Sequence, residues 1–182
     1  LEEQQIERGE ILAVDGETVI ARSKAQGTGG NRIFIRRYPQ GELFGNPIGY
    51  SFVERGRVGV ELSHNDELVG NKTEFLSILD QLRGQVQEGD TLVTSLDAEA
   101  QETAVEALGG QKGSVVALVP QTGEVRAMVS VPQYDPNEVQ SSAGFQALNE
   151  DEDAPLLNRA TQAGYQPGST MKVVTATAAL DS

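Results

Sequence analysis

The feature that most constrains this 182-residue sequence lies near its end. Over residues 169–180, Met171, Val173, Val174, Ala176, Ala178, Ala179 and Leu180 cover every side of a helix and leave no polar stripe. Such a helix is stable only when other elements bury it all round, because fully burying one large aliphatic side chain contributes roughly 1.5–3 kcal/mol. The rest of the sequence offers it too little. The neighbouring segments predict one further helix and one β-hairpin, which cannot enclose it, so its packing partners are expected to lie outside residues 1–182.

Upstream, the pattern has two parts. Residues 1–90 are glycine-rich with short β-prone runs: Thr18-Val19-Ile20-Ala21, Arg32-Ile33-Phe34-Ile35 and Gly56-Arg57-Val58-Gly59-Val60. Gly27-Thr28-Gly29-Gly30-Asn31 reads as an open turn, and Phe75, Leu76, Leu79 and Leu82 recur at helical spacing over residues 72–82, before Gly84. From residue 91 the character changes. Asp97 is a good N-cap, Glu99 falls in the first turn, Ala100, Ala104, Val105 and Leu108 mark one face, and Gly109-Gly110 closes a helix. Residues 114–119 form an apolar run, Pro120-Gln121-Thr122-Gly123 a turn, and residues 124–130 an alternating strand. This is a hairpin whose first strand is expected to be buried on both faces. Residues 131–167 read mostly as loop, with a solvated acidic run at 150–153 and a turn at Tyr134-Asp135-Pro136-Asn137. The fold class is therefore α+β: a β-rich module over 1–90, then a helix, a hairpin and the apolar helix over 91–182.

The apolar helix carries two reactive groups, Ser169 at its N-terminus and Lys172 one turn on. Spacing i to i+3 puts both on one face. A serine hydroxyl needs a base beside it to act as a nucleophile, and a lysine desolvated by apolar walls can supply one. The helix N-terminus adds N–H groups and partial positive charge that favour a developing oxyanion. A bare Ser-x-x-Lys arises readily by chance, and Ser169 after Pro167-Gly168 would serve equally as a plain N-cap. The residues alone leave both readings open.

Composition removes several function classes. A net charge of −13 repels phosphate backbones and anionic headgroups, so no nucleic-acid partner is expected. There is no cysteine and no apolar run of spanning length, and residues 1–10 are too polar for a signal peptide. His64, the only histidine, has no second ligand at metal-site spacing, and Gly27–Gly30 lacks the strand and helix a phosphate loop requires. No metal or cofactor is expected.

Tyr165-Gln166-Pro167-Gly168-Ser169-Thr170-Met171-Lys172-Val173-Val174-Thr175 resembles the first active-site motif of the penicillin-binding transpeptidases. Gly113-Ser114-Val115-Val116-Ala117-Leu118, Thr122-Gly123-Glu124, Met128-Val129-Ser130-Val131-Pro132 and Asn158-Arg159-Ala160 are similar to the opening of the same domain. Arg8-Gly9-Glu10-Ile11, Arg36-Arg37-Tyr38-Pro39-Gln40-Gly41, Gly56-Arg57-Val58-Gly59-Val60-Glu61 and Leu68-Val69-Gly70 resemble the non-catalytic module of class B penicillin-binding proteins. Leu43-Phe44-Gly45, Gly49-Tyr50-Ser51 and Leu156-Leu157-Asn158-Arg159-Ala160 are most like its actinobacterial type A. Two departures stand out. Ala13-Val14 precede Asp15-Gly16 where the family continues into Asp-Arg, and the Ser-x-Asn and Lys-Thr-Gly motifs do not follow Lys172 within this sequence.

The resemblance implies a membrane-anchored, extracytoplasmic D,D-transpeptidase of peptidoglycan. Ser169 would be the nucleophile and Lys172 its base, with stem peptides as substrates and β-lactams acylating the same serine. Residues 1–90 would form a dimerisation or pedestal module, which can dock a membrane glycan polymerase. The 182 residues alone are expected to be inactive. Rival readings are a purely non-catalytic docking module and a related β-lactam-binding serine hydrolase or sensor.

Overall fold

The computed structural model describes residues 3–28, 32–70 and 88–181. Its first sheet has four strands in the order β3-β2-β1-β6. Strand β1 (Ile11–Leu12) runs antiparallel to β2 (Val19–Gln26), which forms a hairpin ladder with β3 (Ile33–Arg37), pairing Arg22 with Arg37 through Gln26 with Ile33. Asp15 builds the β1–β2 turn by accepting from the Glu17 and Thr18 amides and the Thr18 hydroxyl, bonds that lower its carboxyl pKa.

A helical corner follows: a 3₁₀ turn at Gly41–Phe44 and α1 (Gly45–Ile48). Then come the two-residue strands β4 (Ser51–Phe52) and β5 (Gly56–Arg57), and the short helices α2 (Val60–Ser63) and α3 (Asn65–Leu68). The expected strand at 56–60 is thus cut to Gly56–Arg57. Gly59, at φ +63°, turns the backbone so that Val60 begins a helix. The expected helix at 72–82 and Gly29-Gly30-Asn31 lie outside the described residues.

Strand β6 (Leu92–Val93) returns to the first sheet, parallel to β1. Gly9 makes this closure possible: a Cβ there would lie 1.9 Å from the Asp90 carbonyl oxygen, so no larger residue fits. The α4 helix (Ala98–Leu108) then forms as its sequence predicts. The Asp97 carboxylate accepts from the Ala100 amide, and Gly109 ends the helix in the left-handed conformation. It packs on the antiparallel hairpin of β7 (Gly113–Leu118) and β8 (Val125–Val131), with Ala104, Ala127, Val129 and Val131 buried between them.

One expectation about this half needs correction. Strand β7 is not buried on both faces: Val115 packs against α4, while Val116 and Leu118 are 44% and 54% exposed. Among the described residues β8 is its only ladder neighbour, so the face away from α4 has no cover. Residues 131–167 are mostly loop, as expected, but two helical segments interrupt them. They hold a 3₁₀ helix at Pro136–Gln140, capped by Asp135, and α5 (Ser142–Glu150), whose first turn is closed by the Ser141 hydroxyl accepting from the Gly144 amide. The acidic residues at 150–153 are exposed, as expected of a solvated run. The apolar helix α6 (Met171–Leu180) is preceded by a 3₁₀ turn at Gly168–Thr170 and is exposed on every side, so the expectation that residues 1–182 cannot enclose it holds among the described residues. The hairpin and α4 are already committed to each other and to the first sheet, leaving nothing in the described residues to cover it.

The main core is continuous from the first sheet into the second half. It joins Ile11, Ile20, Tyr38, Phe44, Ile48 and Leu68 with Leu96, Tyr134 and Val139.

Candidate active site

Ser169 sits in the middle of the 3₁₀ turn, and Lys172 is the second residue of α6. Gly168, at φ +51°, sets the turn in a conformation costly for any residue with a Cβ. Pro167 fixes its start, with the Thr170 amide donating to the Pro167 carbonyl at 3.1 Å and the Thr170 hydroxyl donating to the same oxygen. Thr175 and Thr177 return their hydroxyls to the Lys172 and Val173 carbonyls at 3.1 and 2.9 Å, so the polar groups beyond Lys172 are spent on the helix itself. Ser169 and Lys172 are both exposed, and among the described residues no hydrogen bond joins them. The structure places the two residues one turn apart at the head of one helix and does not bring their side chains together.

The segment leading to this turn is anchored firmly. Arg159 is buried, and its guanidinium donates to the Asp153, Ala154 and Leu157 carbonyls at 2.6, 3.1 and 3.5 Å. Its amide donates to the Ser130 hydroxyl, which donates in turn to the Leu157 carbonyl. Asn158 donates from its side chain to the Asn46 carbonyl, and Asn46 donates to the Ser130 carbonyl. Gln101, wholly buried, donates to the Leu43 carbonyl at 2.8 Å and accepts from the Met128 amide at 2.6 Å. The Tyr134 hydroxyl donates to the Gly45 carbonyl, and a Cβ on Gly45 would meet the Tyr134 backbone carbonyl oxygen at 2.3 Å. The Asn137 side chain clasps both backbone groups of Tyr38. The corner at residues 41–50 is therefore wedged between α4, β8 and the segment before Ser169. Sequence reading did not single out Gln101 or Asn46, because polar residues on otherwise ordinary elements carry no periodic signal.

The module motifs converge elsewhere. Arg8, Arg36 and Glu61, all buried, form an ion cluster: Arg8 Nη2 lies 2.8 Å from Glu61 Oε2, and Arg36 Nε lies 2.6 Å from Oε1. The Tyr38 hydroxyl donates to Oε1 at 3.1 Å and accepts from the Ser51 amide. Burial lowers the Arg8 pKa against the opposing pull of Glu61. Burial, and then the Glu61 charge, push Tyr38 well above the ordinary tyrosine value. Asp15 takes no part, consistent with the departure in sequence at that position. Among the described residues no group of three metal-capable side chains occurs, and no helix is long and apolar enough to cross a membrane.

Residues 8–92 match the penicillin binding protein A dimerisation domain, and residues 113–182 match the penicillin binding protein transpeptidase domain. The chain is 33% identical over 195 residues to the peptidoglycan D,D-transpeptidase PbpA of Mycolicibacterium smegmatis, with 100% of the chain and 39% of the relative covered. Against the peptidoglycan D,D-transpeptidase MrdA of Escherichia coli K12 it is 34% identical over 181 residues, covering 81% of the chain and 28% of the relative. The fold superposes with a TM-score of 0.84 on penicillin-binding protein A from M. tuberculosis in an imipenem acyl-enzyme complex, at 33% identity, covering 98% of this chain and 43% of that one. The chain thus spans less than half the length of these three relatives.

Proposed function

The chain belongs to the class B penicillin-binding proteins, and from that premise we propose that it carries the nucleophile of a serine D,D-transpeptidase that cross-links peptidoglycan stem peptides. In this reading residues 1–90 form the non-catalytic module, residues 91–182 open the transpeptidase domain, and β6 hydrogen-bonds back to the module's sheet.

Ser169 Oγ attacks the carbonyl of the penultimate D-alanine of a stem peptide while Lys172 Nζ takes the hydroxyl proton. The acyl–enzyme ester forms, the peptide bond breaks, and the terminal D-alanine leaves as an amine that regains the proton. An amine on a neighbouring strand then attacks the ester and frees Ser169. β-Lactams enter at the first step, since their amide carbonyl presents the same electrophile. The observation that carries this assignment is the placement of Ser169 and Lys172 one turn apart at the head of α6, on a turn fixed by Pro167 and Gly168.

The exposed apolar surface of α6 and β7 supports a further element of the reading: the rest of the transpeptidase domain covers both. In that setting Lys172 loses its water and becomes a base. The site works on the outer face of the cell membrane, and the module offers a surface to a membrane glycan polymerase.

Stopped-flow acylation of the whole protein by a fluorescent penicillin tests the assignment. Lys172→Ala is expected to slow acylation by roughly 10²-fold or more, the scale of a lost general base. A rate within a few-fold of the parent would refute the role given to Lys172.

A further inference from the structure

Strand β3 lies at the edge of the first sheet, which runs β3-β2-β1-β6. In an antiparallel ladder the amide and carbonyl of one residue point the same way, and successive residues alternate. Tyr38, just past β3, bonds the Asn137 side chain through both its amide and its carbonyl, at 3.1 and 2.9 Å, and not β2. Phe34 and Arg36 share its parity, so their amides and carbonyls also turn away from β2. Among the described residues nothing bonds these outward groups. Asn137 takes the place of a neighbouring strand at Tyr38, and the place beside Phe34 and Arg36 is open.

The side chains around this edge sort by face. The register of β2 and β3 puts Arg22, Lys24 and Arg37 on one face, beside Ile33 and Ile35, and Phe34 and Arg36 on the other. Neither strand contains a carboxylate, and Arg22 and Lys24 are exposed, so a chain of net charge −13 carries a basic face here. On the other face Phe34 borders a cleft of ≈ 200 Å³ that Phe52 and Val53 also line, with Glu54 the one carboxylate among its described lining residues. Val53 is 50% exposed. An unpaired strand edge invites pairing with another chain, and charge decides which chain. A second copy of this edge would gather its own cations on the same face and is repelled, whereas an acidic strand is attracted.

We propose that the outer edge of β3 docks an extended acidic segment of a partner protein, which adds to the first sheet as a fifth strand. Its backbone bonds the outward amides and carbonyls of Phe34 and Arg36. Side chains alternate across a strand, so the added segment presents carboxylates on the face of Arg22, Lys24 and Arg37 and apolar side chains to the cleft beside Phe52 and Val53. The surface is independent of Ser169 and Lys172, so its fate and that of the transpeptidase reading are separable.

The test uses the whole protein and two fluorescein-labelled heptapeptides, one alternating glutamate with valine and the other lysine with valine. Fluorescence anisotropy should show saturable binding of the acidic peptide and at least ~10-fold weaker binding of the basic one. Hydrogen exchange read by mass spectrometry should slow in fragments spanning residues 33–37 when the acidic peptide is bound, because the Phe34 and Arg36 amides gain acceptors. The double change Arg22→Glu, Lys24→Glu should weaken the acidic peptide roughly 10-fold, the scale of two surface ion pairs turned repulsive. Should that variant lose its native circular dichroism, Lys24→Gln carries the same expectation at a few-fold. No saturable binding, equal binding of the two peptides, binding without slowed exchange at residues 33–37, an unaltered affinity in the folded variant, or a dimer of the protein that the acidic peptide dissociates in light scattering would each overturn the proposal.

Discussion

Replacing Glu61 by Gln tests what holds the first module together. The carboxylate is 0% exposed and accepts from Arg8 at 2.8 Å, Arg36 at 2.6 Å and Tyr38 at 3.1 Å. Glutamine keeps the volume but removes the charge, and its amide group sets an N–H against one of the two arginines. Removing one partner of a buried ion pair costs about 3–5 kcal/mol, because the remaining charge is left uncompensated. Two guanidiniums share this carboxylate, which argues for the upper end, while the remaining carbonyl oxygen of glutamine still accepts from one of them and argues for the lower. A loss of about 3–4 kcal/mol is expected. With a urea dependence of 1–3 kcal/mol per molar, the unfolding midpoint should fall by roughly 2 M at unchanged slope. Urea unfolding followed by circular dichroism reads this directly, and a loss below about 1 kcal/mol would refute the view that the cluster is fully desolvated. The triple change Arg8→Met, Glu61→Leu, Arg36→Met should recover most of the loss, since an apolar replacement leaves no orphaned charge.

Gln101→Leu leaves the Leu43 carbonyl and the Met128 amide without their partner, and should cost about 2–4 kcal/mol in the same assay. Ala154 stands at φ +46°, the only non-glycine residue with positive φ among those described, so Ala154→Gly should raise stability by about 1 kcal/mol by relieving that strain. The Tyr38 hydroxyl pKa is raised in the fold, first by burial and then by Glu61, so the unfolded chain loses this proton more easily. Its stabilising contribution is present below the unfolded value of about 10 and falls as pH rises above it, so urea midpoints should decline from pH 10 upward, less steeply in Tyr38→Phe.

Local signals in the sequence carried much of this architecture. Asp97 and Gly109 bracket α4 because a carboxylate cap and a left-handed glycine act within a few residues, and the alternation of Val125, Ala127 and Val129 gave the buried face of β8. Strands β1 and β6 were illegible: two residues each, they exist because Gly9 lets the chain near Asp90 pass close enough to pair. Helix α5 was missed because Gly144 and the polar residues around it hide a helix whose start depends on the Ser141 hydroxyl. The all-round apolar character of α6 was read correctly as composition. That the neighbouring elements cannot enclose it also follows from the sequence, since one helix and one hairpin offer too little surface, and the described residues leave it exposed. For the candidate site, the spacing of Ser169 and Lys172 was plain in the sequence. The anchorage through Arg159, Ser130, Asn158 and Asn46 was not, since it depends on polar side chains meeting across distances of 29 to 112 residues.

The central claim is that Ser169 Oγ forms the covalent acyl bond. Peptide mapping by mass spectrometry of the whole protein after reaction with benzylpenicillin tests it most directly. The account predicts the full mass of the opened β-lactam on the peptide containing Ser169, and no adduct in Ser169→Ala. An adduct on any other serine, or undiminished labelling of that variant, would contradict it.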